Sequence, residues 1–197
     1  MRLSIIALAA LGLASGCDSK APAEPEATTA GPTAATCIPP VKREVALTAP
    51  GARDVLEAQV MGADCEKASL VLNLHKADGT LLWTYSVRAS DTWAFVPADD
   101  NKSVDPKAGM DKFLADVFQN ARIETSDMAP DWPEGSAGPQ DPTGLFHVSP
   151  MPREAYLNLR AKKLPVLCVQ AEMGTSHCVS FDPEFGDTAS DFYSSSS

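Results

Sequence analysis

The residues with the clearest potential for chemistry are Cys168 and Cys178, which stand symmetrically about Met173. If the chain reverses at Met173 as a β-hairpin, the two cysteines lie directly opposite each other, with Cα atoms roughly 4.5 Å apart. That separation is at the short end of the range for a disulfide bond. His177 and Met173 add an imidazole and a thioether, and copper(I) accepts such soft ligands. Because the spacing matches no metal-binding motif and a disulfide removes both thiolates, we expect a disulfide and no metal site.

Oxygen-bearing side chains alternate in a second segment, as they do in the first half of a calcium-binding loop: Asp99, Asn101, Ser103 and Asp105. An EF-hand loop also requires glycine at its sixth position and a bidentate glutamate at its twelfth. This chain has Val104 and Met110 there, which excludes an EF-hand. Two interpretations stay open, a weaker calcium site and a polar loop that ends in the N-cap of a helix.

Sequence signatures of common hydrolases and nucleotide-binding proteins are missing from the chain. It contains no Gly-x-Ser-x-Gly, no His-Glu-x-x-His and no P-loop motif. The three histidines, His75, His147 and His177, are too scattered to suggest a catalytic triad. We therefore expect no catalytic residue and no cofactor, and the sequence favours a binding or structural role. An activity that is lost on alanine replacement of Asp91, His147 or Glu154 would contradict this expectation.

The N-terminal end carries a cysteine of another kind. An uncharged run, 3–14, follows Arg2 and would span only about 18 Å as a helix. A bilayer core of roughly 30 Å needs about 20 apolar residues, so the run is typical of a signal peptide. It ends in Leu13-Ala14-Ser15-Gly16-Cys17, which resembles the lipobox of bacterial lipoproteins. The resemblance implies a signal peptide over 1–16 and lipidation of Cys17; ordinary secretory cleavage is the alternative.

The lipobox implies a protein of the cell envelope, attached to the lipid bilayer through Cys17 and facing the periplasm or the exterior. Asp18 resembles an inner-membrane retention signal of enterobacteria, but the choice between inner and outer membrane stays open. Disulfide bonds form in that compartment. Three pairings are possible for the four remaining cysteines. We favour Cys168 with Cys178 and, by elimination, Cys37 with Cys65.

Composition divides the chain into four segments. The segment 17–36, after the signal peptide, consists mostly of Ala, Pro, Thr and Glu and lacks the apolar residues that a core needs. It predicts a lipidated, disordered tether. The segment 37–187 is long enough for a single globular domain. The acidic, serine-rich end, 188–197, predicts a disordered tail.

Hydrophobic periodicity predicts the elements that position these residues. Apolar residues alternate in 55–61, 69–75 and 80–88, as expected of an antiparallel β-meander with one buried face. In the third strand that face consists of Leu81, Trp83, Tyr85 and Val87. Asp78 and Gly79 favour a tight turn before it.

A helical period follows the meander. Asp105 and Pro106 predict the start of a long helix, and its apolar positions are Met110, Phe113, Leu114, Val117, Phe118 and Ala121. A shorter helix is predicted over 150–162 with Ser149 as its N-cap, and a hairpin over 164–181. The expected fold is therefore α+β: an antiparallel β-meander and a C-terminal hairpin packed against one long and one short helix, with disulfides.

The segment 124–144 is the candidate partner-binding region. It is rich in Pro, Gly and acidic residues, and long loops of this kind are usually functional or disordered. Trp132 lies between Asp131 and Glu134, and tryptophan is enriched at the centres of interfaces. The alternative is a loop that packs one aromatic ring against the sheet.

The charge of the chain limits the partners that it can bind. With 16 Lys+Arg against 26 Asp+Glu, the net charge is −10, which disfavours nucleic acid and favours cationic partners. Two functions remain. The first is a membrane-anchored binding or structural module for another envelope protein. The second follows from a broad resemblance to bacterial lysozyme inhibitors in location, charge and β content, which implies inhibition of a cationic cell-wall hydrolase and identifies no site residue.

Overall fold

The computed structural model describes residues 35–97, 103–141 and 145–196. The predicted signal peptide, Cys17 and the tether up to residue 34 lie outside these ranges, as do Asp99 and Asn101. The described residues fall in one compact unit. No helix in that part of the chain is long and apolar enough to cross a membrane.

The first sheet of the described domain is an antiparallel meander of four strands. Its strands, in spatial order, are β1 (Val41–Val45), β2 (Asp54–Met61), β3 (Ser69–His75) and β4 (Leu81–Arg88). The predicted meander is confirmed, and β1 is an additional edge strand whose first four residues are exposed. An edge strand of this kind carries no apolar alternation, so its sequence did not indicate it.

The buried face of β4 differs from the prediction at one end. The pairing of β3 with β4 shifts between Leu74 and His75, so that His75 lies opposite Leu81. The irregularity turns Leu81 outward, where it is 46% exposed, and buries Leu82 instead. A single extra residue in a strand reverses the faces beyond it, because side chains alternate with a period of two.

The long helix α1 (Pro106–Asn120) forms as predicted. The Asp105 side chain accepts a 2.8 Å hydrogen bond from the Ala108 amide and caps the first turn. Its apolar stripe, which includes Met110, Phe113 and Val117, is fully buried in the core cluster that also contains the leucines of the first sheet. At the other end, the Arg43 guanidinium of β1 donates to the carbonyls of Phe118 and Ala121.

A second antiparallel sheet follows, and its five strands stand in the order β5-β7-β8-β9-β6 within the described ranges. They are β5 (Arg122–Thr125), β6 (Phe146–Val148), β7 (Pro165–Glu172), β8 (Thr175–Ser180) and β9 (Ser190–Ser196). The hairpin of β7 and β8 was predicted. The other three strands were not, because two are short and β9 is rich in serine.

The expectation of a disordered tail over 188–197 is wrong for Ser190–Ser196, which form a strand. Strand β9 pairs with β8 on one side and with β6 on the other, so most of its backbone belongs to the sheet. Phe192 is 0% exposed and Tyr193 only 6% exposed. These two aromatic side chains and the backbone pairing stabilise a segment whose composition is typical of disorder.

The second sheet has apolar residues on both faces. Leu167 and Val169 join the core around the first sheet and α1. Val166 and Cys168 join a second cluster with α2 (Arg153–Ala161), the short helix. Helix α2 begins after Pro152 rather than at Ser149, whose hydroxyl donates instead to the Phe192 carbonyl at 2.7 Å.

Both predicted disulfides are confirmed. Cys168 lies opposite Cys178 in the register of β7 and β8, with a Cα–Cα distance of 4.1 Å. The Cys37–Cys65 bond, with 5.3 Å between Cα atoms, joins the start of the domain to the short 3-10 turn after β2. Together with the two antiparallel sheets and two helices, these bonds confirm the predicted α+β class.

Candidate functional site

The structure places Trp132 in the interior rather than at the surface. Its side chain belongs to the second core cluster and is 8% exposed. The ring packs edge-on against Tyr156 at a centroid distance of 5.3 Å, and the indole nitrogen donates to the Ser136 carbonyl at 3.1 Å. The alternative interpretation, a loop that packs its aromatic ring inward, therefore describes the position of Trp132.

The acidic neighbours of Trp132 remain at the surface. Asp131 is 67% exposed and lies 3.4 Å from the guanidinium of Arg160, while Glu134 is exposed in the following turn. Helix α2 holds this segment, because Arg153 donates to the Trp132 carbonyl and Arg160 to the Ala129 carbonyl, each at 3.0 Å. A role of Asp131 and Glu134 in partner binding stays a prediction.

Neither candidate metal site is supported by the described side chains. Cys168 and Cys178 are joined to each other, which leaves no thiolate for copper(I). Asp105 caps helix α1, and the first two members of the calcium candidate, Asp99 and Asn101, lie outside the described residues. No group of three or more His, Cys, Asp or Glu residues in the described ranges is arranged to hold a metal ion.

His147 and Asp141 form a pair with the residue types of a catalytic dyad, but no ring nitrogen of His147 is open to a substrate. They line a groove of about 440 Å³ together with Leu145 and Val148. The Nε2 atom of His147 contacts the Asp141 carboxylate, and its Nδ1 atom is buried without a hydrogen-bond partner. A general base needs an open nitrogen within reach of the substrate. The buried Nδ1 atom does not meet that requirement.

The other two residues named for a possible enzyme stand elsewhere. Asp91 lies in the turn after β4 and pairs with Arg88 at 3.1 Å, whereas Glu154 is exposed on α2. Within the part of the chain that the structure describes, no hydrogen bond or ion pair joins Asp91, His147 and Glu154. The geometry thus offers no catalytic arrangement of these side chains.

A cluster of aromatic rings lies where β4 of the first sheet meets β8 of the second. Trp83 and Tyr85 stack with centroids 5.8 Å apart and an interplanar angle of 6°. Tyr85 also contacts the His177 ring at a centroid distance of 4.3 Å. We call these three side chains, Trp83, Tyr85 and His177, the aromatic seam.

Two carboxylates accept hydrogen bonds from the aromatic seam. The Trp83 indole donates to Asp191 at 2.9 Å, and the Tyr85 hydroxyl donates to Glu172. Neither carboxylate has a lysine or arginine nitrogen within 4.0 Å among the described residues, whereas nearby Asp91 is paired with Arg88. The seam therefore presents negative charge that no basic side chain of this region neutralises.

Burial keeps the titratable members of the seam uncharged. It lowers the pKa of the His177 imidazole below its usual 6.5, although Glu172 and Asp191 act in the opposite direction. The Nε2 atom of His177 is buried without a partner, which also disfavours the protonated ring. Burial and the hydrogen bond to Glu172 raise the pKa of the Tyr85 hydroxyl. The imidazole and the phenol of the seam are thus uncharged at neutral pH.

A cleft of about 260 Å³ opens beside the seam. His177 lies opposite Ser194 in the register of β8 and β9, and Ser194 lies opposite Val148 of β6, so their side chains share one face of the sheet. The cleft is lined by Val148, Pro150, His177, Asp191, Tyr193 and Ser194. Sequence reasoning missed it, because Trp83 and Tyr85 fitted a core strand and β9 was expected to be disordered.

Comparison of the chain with models of known protein families, with curated proteins and with solved structures gave no match.

Proposed function

We propose that this protein is a lipid-anchored protein of the bacterial cell envelope whose disulfide-bonded domain binds a cationic partner protein. The observation that carries the proposal is the pair of carboxylates, Glu172 and Asp191, which accept hydrogen bonds from Tyr85 and Trp83 and have no basic partner among the described residues. An opposite charge supplied by another molecule would complete this arrangement.

The envelope location is supported by two independent features. The segment Leu13-Ala14-Ser15-Gly16-Cys17 resembles a lipobox, and the described cysteines form two disulfides, which are typical of proteins outside the cytoplasm. Lipidation at Cys17 is tested by metabolic labelling with palmitate in a bacterial host. We expect label in the wild-type chain and none in Cys17→Ala. An unlabelled wild-type chain in the same host would contradict the anchor.

The net charge of −10 supports a cationic partner, because complementary charge accelerates encounter and disfavours partners of like charge. A cell-wall hydrolase such as lysozyme is one cationic protein of the envelope environment. Binding to such an enzyme would make the chain an inhibitor. The binding module is the more general proposal, and the inhibitor is its alternative form.

Partner binding is tested with the full lipidated chain in detergent, used to capture proteins from envelope extract at low and at high salt. We expect one partner that is retained at low salt and released at high salt. The double variant Glu172→Gln/Asp191→Asn should lose this partner. The control Glu66→Gln/Asp187→Asn removes the same charge from exposed positions elsewhere and should retain it. Equal retention by both variants would contradict the role of the seam carboxylates.

The inhibitor alternative has its own measurement. Purified chain is added to lysozyme at low ionic strength, and the rate of cell-wall hydrolysis is recorded. Inhibition that disappears with salt and with Glu172→Gln/Asp191→Asn would support the alternative. Full lysozyme activity at low ionic strength would exclude lysozyme as the target.

A further inference from the structure

The cleft beside the aromatic seam combines one carboxylate with apolar walls. Asp191 is exposed at its mouth, and one of its oxygens accepts the indole hydrogen bond of Trp83. Its second oxygen makes no hydrogen bond or ion pair with other described residues. Val148, which is 56% exposed, and Pro150 form an apolar wall. A ligand that fits this cleft needs a cationic end and a short apolar stem.

The aromatic rings that line the cleft carry no positive charge and do not repel a cation. His177 is uncharged at neutral pH because burial lowers the pKa of its imidazole. Burial raises the pKa of the Tyr193 hydroxyl to about 12, so this ring is also neutral. The faces of neutral aromatic rings attract cations through their quadrupole. The Asp191 carboxylate is therefore the charged group that lines the cleft.

The geometry of Asp191 distinguishes between the two cationic side chains of proteins. Arginine prefers to engage both oxygens of a carboxylate with its planar fork. In this cleft the Trp83 indole already occupies one oxygen, at 2.9 Å. A lysine ammonium is a compact point charge that is satisfied by a single oxygen, and its methylene stem packs well against apolar walls.

We propose that this cleft binds a lysine side chain of the cationic partner, with the ammonium group at Asp191 and the methylene stem against Val148 and Pro150. The assignment rests on the proposed function, because it identifies how that partner is recognised. It also makes a claim about small molecules that is independent of any partner: a free alkylammonium ion should occupy the cleft.

The test uses n-butylammonium, the analogue of the lysine side chain, and the full lipidated chain in detergent micelles. The indole N–H signals of the three tryptophans are followed by NMR at constant ionic strength. The Trp83 signal is assigned by its absence in Trp83→Phe. We expect n-butylammonium to shift this signal saturably. An unshifted Trp83 signal at saturating ligand would overturn the proposal.

Two variants locate the bound ion. Asp191→Asn keeps an acceptor for the Trp83 indole and removes the charge, and we expect it to bind about fivefold more weakly. The control Asp187→Asn removes one charge from a side chain that is 96% exposed outside the cleft lining, and screening by salt should leave its affinity unchanged. Equal weakening in both variants would mean a general charge effect and would overturn the assigned site.

A second ligand and the partner assay separate the remaining outcomes. Tighter binding of n-propylguanidinium than of n-butylammonium would overturn the choice of lysine over arginine. If n-butylammonium binds at Asp191 and no cationic protein is captured, the alkylammonium site stands, whereas the proposed function and the assignment of a partner lysine fail. If a cationic protein is captured without any n-butylammonium binding, the proposed function stands and this inference fails.

Discussion

The indole nitrogen of Trp83 on β4 donates a 2.9 Å hydrogen bond to the carboxylate of Asp191 on β9, across a separation of 108 residues. Beside it, the Ala189 amide donates to the Leu82 carbonyl, also at 2.9 Å. These contacts join the first sheet to the second at the aromatic seam. They hold Asp191 at the mouth of the cleft. Its own strand, β9, is rich in serine, and these contacts fix it to the first sheet.

Replacing Trp83 with phenylalanine removes this hydrogen bond and keeps an aromatic ring. Because the acceptor is a carboxylate and the donating Trp83 side chain is buried, we expect the free energy of unfolding to fall by about 1.5 kcal/mol. Urea denaturation measures this loss. Trp93→Phe is the control, since the Trp93 indole nitrogen makes no hydrogen bond with other described residues. Equal stability of the two variants would show that the Trp83–Asp191 bond does not stabilise the fold.

Arg43 connects the edge strand β1 to the C-terminal end of α1. Its guanidinium donates to the carbonyls of Phe118 and Ala121, which satisfies backbone acceptors at the negative end of the helix dipole. We expect Arg43→Met to lower the free energy of unfolding by about 2 kcal/mol. In contrast, Arg53 pairs with Glu44 in the solvent, and Arg53→Met should leave stability nearly unchanged. Thermal denaturation of both variants tests the difference.

His177 makes stability depend on pH. Its pKa in the folded chain lies below the usual 6.5, so the unfolded chain takes up the proton first as the pH falls. The neutral ring therefore contributes stability that is fully present above about pH 6.5 and is lost as the pH falls through the folded pKa. Burial, to which the Tyr85 ring in contact with His177 contributes, lowers this pKa, and the carboxylates of Glu172 and Asp191 oppose the shift.

The variant His177→Phe tests this pH dependence because it keeps a ring in contact with Tyr85 and cannot titrate. We expect its thermal midpoint to fall less than that of the wild-type chain between pH 7.5 and pH 5, a window that spans the unfolded pKa of about 6.5. An NMR titration of the wild-type His177 ring provides the direct check. Parallel loss of stability in both chains would exclude His177 as its source.

Trp132 is expected to act through stability and not through direct contact with a partner. Because its ring packs against Tyr156 in the second core cluster, Trp132→Ala should cost about 3–5 kcal/mol of unfolding free energy. Glu134→Ala, at an exposed neighbouring position, should leave stability nearly unchanged. Circular dichroism during urea denaturation measures both. A stable Trp132→Ala chain that fails to bind a partner would instead favour a direct binding role.

Several elements could be predicted because their residues follow a local pattern. Strand β3 buries every second residue, Leu70, Leu72 and Leu74, and α1 buries the stripe that follows its Asp105 N-cap. The pairing of Cys168 with Cys178 followed from the symmetry of a hairpin. In each case the interacting residues are close in sequence, so their spacing already contains the geometry.

The remaining features depend on contacts between distant segments. Leu82 is buried in place of Leu81 because the pairing of β3 with β4 is irregular there, and composition does not reveal such an irregularity. Strand β9 is ordered because β6 and β8 pair with it and because Phe192 is buried. Trp132 points inward because α2 supplies Tyr156 as its neighbour.

The sequence by itself predicted the α+β class, the meander, the long helix and the Cys168–Cys178 disulfide, because periodicity, capping and the spacing of cysteines in a hairpin act locally; the Cys37–Cys65 pairing followed by elimination. It also predicted the lipidation of Cys17. Only the tertiary structure showed the cleft at which we propose that a partner is bound. Trp83 comes from β4, His177 from β8 and Asp191 from β9, and no periodicity within a strand encodes their proximity. The packing of one sheet against the other brings them together, and it leaves a carboxylate without a basic neighbour among the described residues.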